Sequence, residues 1–197
     1  MSVFVKICGL RNREQVDAAI NAGADALGFV FAESLRRVSP QEASVIAMDI
    51  PPHVKRVAVM LHPTNEEWQQ VLRHFVPDVL QCDAQDVASL DVPDGVECWP
   101  VFREGKSLRQ PLNTYVYEGQ KSGQGETVDW SNAASIASEG NMILAGGLCS
   151  GNIAAAIATV RPFGVDVSSG VESAPGQKDI QLITEFLVAA KAAEKNL

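Results

Sequence analysis

The sequence predicts an α/β protein, a compact single-domain (β/α)8 TIM barrel that spans residues 1–197. Short apolar runs of strand length recur eight times, and helical patterns separate most of them. The runs are rich in β-branched residues and nearly continuous, which is typical of strands buried on both faces of a parallel sheet. Eight strands that alternate with helices favour a closed barrel, and a chain of 197 residues lies at the short end of that fold's size range.

The individual elements follow from the spacing of the apolar residues. We predict strands at 3–7, 26–31, 56–61, 79–82, 97–102, 114–117, 142–145 and 165–167, and helices at 13–22, 40–49, 65–75, 131–138, 151–159 and 179–193. Ser39-Pro40 and Pro63-Thr64 indicate two helix starts, because hydroxyl side chains cap helices and proline suits the first turn.

Two connections carry little helical pattern. Residues 83–96 hold a short helical piece, and residues 103–113 hold no regular helix, so the helices after strands 4 and 5 are predicted to be weak. An open doubly wound sheet with the same alternation is the alternative architecture. The Gly-x-Gly-x-x-Gly fingerprint that such a sheet often carries after its first strand is missing, which favours the barrel.

Composition excludes several classes of function. The formal net charge is −8, with 46% apolar and 20% charged residues, so the chain has no basic footprint for nucleic acid or for an anionic membrane. The four cysteines and three histidines lack the spacing of a zinc site, so no metal site is predicted. The first residues have no basic leader before an apolar run, and we expect a cytoplasmic protein with reduced thiols.

Glycine-rich turns follow the last two predicted strands. Gly146-Gly147 follows strand 7, and Ser168-Ser169-Gly170 follows strand 8. Glycines let backbone N–H groups approach an anion closely, and the loops after strands 7 and 8 are the usual phosphate site of this fold. These loops therefore predict a phosphate site, although each loop alone is also compatible with a simple tight turn.

Cys8 is the last residue of the first predicted strand and precedes a glycine. Side chains alternate along a strand, so Lys6 and Cys8 share one face, and a buried cation there favours the thiolate. Lys6 needs a buried partner, and Asp166 on the neighbouring eighth strand is the candidate. Cys8 is thus a candidate base, although a lone cysteine is more often a core residue.

Glu118 and Arg36 also lie at predicted strand ends. Glu118 ends strand 6, well round the barrel from Cys8, where a carboxylic acid would face a thiolate base across a bound substrate. Arg36 follows strand 2 and can hold a carboxylate. A solvated glutamate and a surface arginine are the alternative interpretations.

At these residues the chain resembles phosphoribosylanthranilate isomerase, an enzyme family of tryptophan biosynthesis. The matching segments run in order over nearly the whole chain and include Lys6-Ile7-Cys8-Gly9-Leu10, residues 22–31, residues 54–57, Gly123-Gln124-Gly125 with Asp129-Trp130, residues 143–148 and residues 161–172. The resemblance implies an Amadori rearrangement of an aldose amine to an aminoketose, without a metal or cofactor. The expected partner is a small sugar phosphate, and the oligomeric state, monomer or homodimer, stays open.

The resemblance also implies roles for particular residues. The family's general base corresponds to Cys8, its general acid to Glu118 and its substrate-binding arginine to Arg36. Asp166 is expected at the substrate, and the phosphate loops correspond to Gly146, Gly147, Ser169 and Gly170.

Two positions depart from the family pattern. The acid is a glutamate in place of aspartate, and the family's Gln-Leu-His-Gly after strand 4 is here Gln81-Cys82-Asp83-Ala84. Two other functions therefore stay in view: a barrel that binds sugar phosphates without catalysis, and a phosphate-binding barrel isomerase of another pathway.

Overall fold

Eight parallel strands pair in chain order and close into a barrel, because the eighth strand pairs with both the seventh and the first. The structure is a computed structural model that describes residues 3–105, 113–120 and 127–193. The barrel strands are β1 (Phe4–Cys8), β2 (Ala26–Val30), β3 (Lys55–Val59), β4 (Val79–Asp83), β5 (Glu97–Arg103), β6 (Thr114–Glu118), β7 (Asn141–Leu144) and β8 (Gly164–Val167). The predicted barrel is confirmed, and the alternative open sheet is not formed.

Helices connect most neighbouring strands on the outside of the barrel. They are α1 (Arg13–Asn21), α2 (Pro40–Ile46), α3 (Asn65–His74), α4 (Trp130–Ile136), α5 (Ile153–Val160) and α6 (Ile180–Ala193). Ser39 and Thr64 cap α2 and α3 through reciprocal capping boxes with Glu42 and Glu67, which confirms both predicted helix starts. Within the described ranges, every helix is too short or too polar to cross a membrane.

The connections differ in part from the predicted ones. After β4 the chain forms a three-residue 3-10 turn, Val87–Ser89, as the weak helical pattern predicted. Most of the 103–113 connection and the Gly123-Gln124-Gly125 segment lie outside the described residues. The sequence analysis missed an antiparallel hairpin of β9 (Glu172–Ala174) and β10 (Gln177–Lys178), which follows β8 before α6 begins.

The barrel has an apolar floor and a polar layer above it. The interior cluster consists of Ala26, Val57, Val79, Trp99, Val101, Val116, Ile143 and Ala145. Phe4 closes this floor edge-on to Trp99, with 5.7 Å between ring centroids. A second, larger cluster fills the space between strands and helices. Polar side chains are thereby displaced to the carboxyl ends of the strands, where the predicted site residues lie.

Candidate active site

One cavity at the carboxyl end of the barrel collects nearly all of the predicted site residues. They come from five different strand ends or loops, and the cavity is lined by Cys8, Arg36, Glu118, Gly146, Gly147, Asp166 and Ser169, together with Gln81, Asp83 and Arg103. Residues more than a hundred positions apart are thus neighbours because the barrel closes between β8 and β1.

Cys8 lies above a buried ion pair. Lys6 is fully buried, and its Nζ lies 2.7 Å from Oδ2 of Asp166, as the sequence predicted. Burial lowers the pKa of Lys6, but the charges and hydrogen bonds of Asp166 and Cys8 together outweigh burial and raise that pKa above its ordinary value. Lys6 therefore stays charged beneath Cys8.

The pKa of the Cys8 thiol reflects two opposing effects. Lys6 lowers it, as the sequence predicted, and so favours the thiolate. Burial has the larger effect and raises the pKa of Cys8 above its ordinary value. The degree of burial was not predicted from the sequence.

Gly28 makes room for this arrangement. It pairs with Cys8 in the register of β1 and β2. A Cβ atom at Gly28 would lie 2.9 Å from the Cys8 sulfur, which is closer than real Cβ atoms approach, and in a tight contact of 3.2 Å with Cε of Lys6. The small residue on β2 therefore lets both β1 side chains point into the barrel.

Arg36 is held by a residue that the sequence analysis had not assigned a role. Its Nε and Nη2 donate to the two carboxylate oxygens of Glu172 at 2.6 and 2.9 Å. Glu172 also accepts from Lys178 and from the backbone N–H of Gly176. Burial by itself raises the pKa of Glu172, but these donors lower it to about 2. Two cations thus share one buried carboxylate.

The loops after β7 and β8 pack directly against each other. A Cβ atom at Gly170 would lie 1.8 Å from the backbone oxygen of Leu148, so only glycine fits there. The Asn152 side chain spans the first loop, donating to the Gly147 carbonyl and accepting from the Cys149 N–H, both at 2.8 Å. Gly170 therefore joins the two loops, while Gly147 and Ser169 line the cavity.

Glu118 lines the same cavity from the end of β6, and among the described residues it pairs with a cation to which the sequence had suggested no role. Nη1 of Arg103 lies 2.5 Å from Oε1 of Glu118, and Nη2 of the same guanidinium lies 2.7 Å from Oδ1 of Asp83. All three side chains are between 10% and 14% exposed. The sequence analysis placed Arg103 beyond the end of strand 5, whereas β5 includes it and pairs it in register with Glu118.

Two buried acceptors at the cavity have no hydrogen-bond partner among the described residues. They are Oε1 of Gln81 and Oδ1 of Asp166. Buried polar atoms are nearly always hydrogen-bonded in proteins, so two open acceptors in one cavity suit a ligand that carries hydroxyl groups. Asp166 thus offers one oxygen to Lys6 and keeps the other for such a group.

Together these features define a barrel protein with the site of a small-molecule enzyme. A thiol from β1 and a carboxyl group from β6 line one cavity, and paired glycine-containing loops form a third wall. A family model described as "N-(5'phosphoribosyl)anthranilate (PRA) isomerase" matches residues 5–189. The chain belongs to this family.

Individual relatives agree with the family model. The N-(5'-phosphoribosyl)anthranilate isomerase of Listeria welshimeri is 36% identical over 203 residues, which is 98% of this chain and 100% of that protein. The crystal structure of the isomerase from Thermotoga maritima has a TM-score of 0.81 at 29% identity and covers 96% of this chain and 99% of that one.

A further solved isomerase carries a ligand. It is in complex with reduced 1-(o-carboxyphenylamino)-1-deoxyribulose 5-phosphate, and it matches this chain with a TM-score of 0.78 and 30% identity over 96% of this chain and 99% of that one.

Proposed function

We propose that this protein isomerises N-(5'-phosphoribosyl)anthranilate to 1-(o-carboxyphenylamino)-1-deoxyribulose 5-phosphate, a step of tryptophan biosynthesis, with Cys8 as the general base and Glu118 as the general acid. The observation that carries the proposal is that Cys8 and Glu118 line one cavity with the two glycine-containing loops as a third wall. An acid and a base that flank an anchored sugar phosphate are what an aldose–ketose rearrangement requires.

The reaction needs two proton transfers. Glu118 in its protonated form donates to the furanose ring oxygen; the C1–O bond breaks, and a Schiff base with the anthranilate nitrogen forms. The Cys8 thiolate then removes the proton from C2 of the ribose, and the electrons neutralise the iminium nitrogen to give an enolamine. Tautomerisation to the ketone completes the rearrangement, with Cys8 left as a thiol and Glu118 as a carboxylate.

These steps need Cys8 as a thiolate and Glu118 as a neutral carboxylic acid. At neutral pH, each is the minor form of an ordinary thiol or carboxyl group. The raised pKa of Cys8, caused mainly by burial, keeps most molecules as the thiol at neutral pH. Lys6 favours the thiolate when it forms, because it stays charged beneath the sulfur. The small fraction of thiolate is a strong base, and the neighbouring iminium group acidifies the C2 proton that it removes.

Arg36 and Asp166 are proposed to bind the substrate, and Gly146, Gly147, Ser169 and Gly170 its phosphate. Within the described part of the chain, Nη1 of Arg36 makes no hydrogen bond beyond the two from Nε and Nη2 to Glu172, and a guanidinium suits the anthranilate carboxylate. The open oxygen of Asp166 suits a ribose hydroxyl. The glycine-containing loops offer backbone N–H groups to the phosphate.

The proposal is tested by the loss of phosphoribosylanthranilate fluorescence on addition of the purified protein. We expect turnover that persists after dialysis against a chelator, since no step uses a metal. Wild-type protein that binds the substrate without turnover would support the non-catalytic sugar-phosphate-binding barrel instead. Turnover of a different phosphoribosyl aldose amine in its place would support the isomerase of another pathway. A cytoplasmic location is part of the same proposal.

A further inference from the structure

The two positions at which this chain departs from the family pattern are in contact through one side chain. Arg103 donates from Nη1 to Glu118 at 2.5 Å and from Nη2 to Asp83 at 2.7 Å. The three residues are the last residues of the neighbouring strands β4, β5 and β6, and all three line the cavity. We refer to Asp83, Arg103 and Glu118 as the carboxyl cluster.

We propose that Arg103 is a positioning residue for the acid Glu118, and that Asp83 offsets the charge of Arg103 so that Glu118 can hold the proton it donates. This inference rests on the proposed function, because it assigns a device to the same acid. It concerns Glu118 and Asp83, which replace the family's aspartate and histidine, and Arg103, which contacts both.

The charge balance carries the argument. A guanidinium in direct contact with a carboxyl group favours the carboxylate, which has no proton to donate. Arg103 contacts both Asp83 and Glu118. In the proposed arrangement, the contact with Asp83 continues to satisfy the guanidinium while Glu118 takes up a proton. When Glu118 has donated, Arg103 is already in place to stabilise the carboxylate that forms.

The shape of the guanidinium supports the same role. A planar fork fixes two acceptors at once, whereas an ammonium is a compact point charge. Glutamate is one methylene longer than the family's aspartate and has one more rotatable bond. The contact with Arg103 compensates for that freedom by fixing the carboxyl group at the cavity wall.

Other titratable groups lie close enough to matter for the test. Those that line the cavity are Cys8, Glu33 and Asp166, and the cation Arg36 lies there as well. On the outer side of Asp83, the ring of His62 lies 3.7 Å from Oδ2 of Asp83 and 2.9 Å from Asp86. Because this ring contacts Asp83 and Asp86, a His62→Gln variant is needed to separate its contribution.

The test measures the ionisation of Glu118 directly. Protein labelled with ¹³C at the glutamate side-chain carboxyl is titrated by NMR, and the Glu118 signal is assigned by its loss in Glu118→Gln. We expect Asp83→Asn to lower the pKa of Glu118 and Arg103→Met to raise it, each by about one unit. Asp78→Asn is the matched control, because Asp78 pairs with Arg56 away from the cavity, and it should leave the Glu118 signal unchanged.

Kinetics supply the second measurement. Arg103→Met should lower kcat by roughly tenfold to a hundredfold with little change in KM, because the acid is no longer held while the substrate keeps its other contacts. Asp83→Asn should also lower kcat, and Arg103→Lys should retain more activity than Arg103→Met. If Arg103→Met does not fold, the pKa of Glu118 measured by NMR in Asp83→Asn and Arg103→Lys still tests the inference.

The outcomes separate this inference from the proposed function. Shifts of the Glu118 pKa in the same direction in Asp83→Asn and Arg103→Met, or in neither, would overturn the inference while wild-type turnover stands. An effect of Asp83→Asn that His62→Gln reproduces in full would also overturn it. Absence of turnover in the wild-type protein would overturn the proposed function itself, and full activity of Glu118→Gln would overturn both the acid assignment and the inference.

Discussion

The two sides of the cavity contain the same kinds of side chain in opposite proportions. On the side of β1, β2 and β8, the single carboxylate of Glu172 pairs with two cations, Arg36 and Lys178. On the side of β4, β5 and β6, the cation Arg103 pairs with two carboxyl groups of the described residues, Asp83 and Glu118. Around Glu172, two cations thus contact one carboxylate, whereas around Arg103 two carboxyl groups contact one cation.

This difference assigns opposite tasks to the two sides. A surplus cation attracts the anionic ends of a substrate, while a surplus carboxyl group can hold and release a proton. The net charge of −8 does not reveal either local imbalance of charge, because it sums the charges of the whole chain. Local charge balance, rather than total charge, thus decides which part of an acidic protein binds an anion.

The largest expected effect is on the base. Cys8→Ala should lower kcat by about 10²–10⁴, the usual contribution of general-base catalysis, while the folded structure is kept. Turnover is followed by substrate fluorescence and folding by thermal unfolding. Cys98→Ala is the control, since Cys98 is a half-buried thiol on the outer face of β5 and should retain wild-type turnover. Near-normal activity of Cys8→Ala would remove Cys8 from the mechanism.

The acid on the opposite side is tested by Glu118→Gln, which keeps the shape but has no proton to donate. We expect kcat to fall about a hundredfold or more while the substrate still binds, measured by steady-state kinetics and by equilibrium binding of the product. Glu118→Asp should be active but impaired, because the shorter side chain withdraws the carboxyl group from its contact with Arg103. An aspartate variant as fast as wild type would show that this contact is not needed.

Arg36 sharpens the comparison with Arg103. Arg36→Met should raise KM by about tenfold and change kcat less, because it removes a cation from the anion-binding side. Arg103→Met is expected to do the reverse. Measuring kcat and KM for both variants under one set of conditions tests the division of tasks, which fails if both variants change the same constant.

The smallest expected effect is on stability and its dependence on pH. The pKa of Glu172 falls from 4.5 to about 2 in the folded protein, mainly through Arg36 and Lys178 acting against burial. A depressed pKa adds stability above the unfolded value, so Glu172→Gln should cost about 3 kcal/mol at neutral pH. The difference from wild type should shrink as pH falls from about 4.5 towards 2, whereas the exposed Glu66→Gln should show no such trend.

The sequence was sufficient for the fold and for one side of the site. Alternation along β1 put Lys6 and Cys8 on one face, and closure of the barrel supplied Asp166 as the partner of Lys6. These relations follow from strand periodicity and strand order. The raised pKa of Cys8 could not be predicted, because it depends on how much solvent the surrounding loops exclude.

The other side was predicted less well because its contacts cross strands. Glu118 was identified at a strand end, but its pairing with Arg103 depends on the register of β5 and β6. A charged residue that ends an apolar run was the available signal, and the predicted strand stopped one residue before it. The hairpin β9–β10 was missed for a similar reason, although Pro175-Gly176 is a typical turn pair.

The contact between Gly170 and the Leu148 carbonyl has a consequence for engineering and for sequence divergence. The backbones of the β7 and β8 loops touch without an intervening side chain, so neither can be lengthened or exchanged alone. When these loops are replaced by those of a relative, both must be exchanged together. The contacts of Arg103 with Asp83 and Glu118 at the cavity are made by side-chain atoms, so these residues can change one at a time, and the two departures from the family pattern are on that side of the barrel.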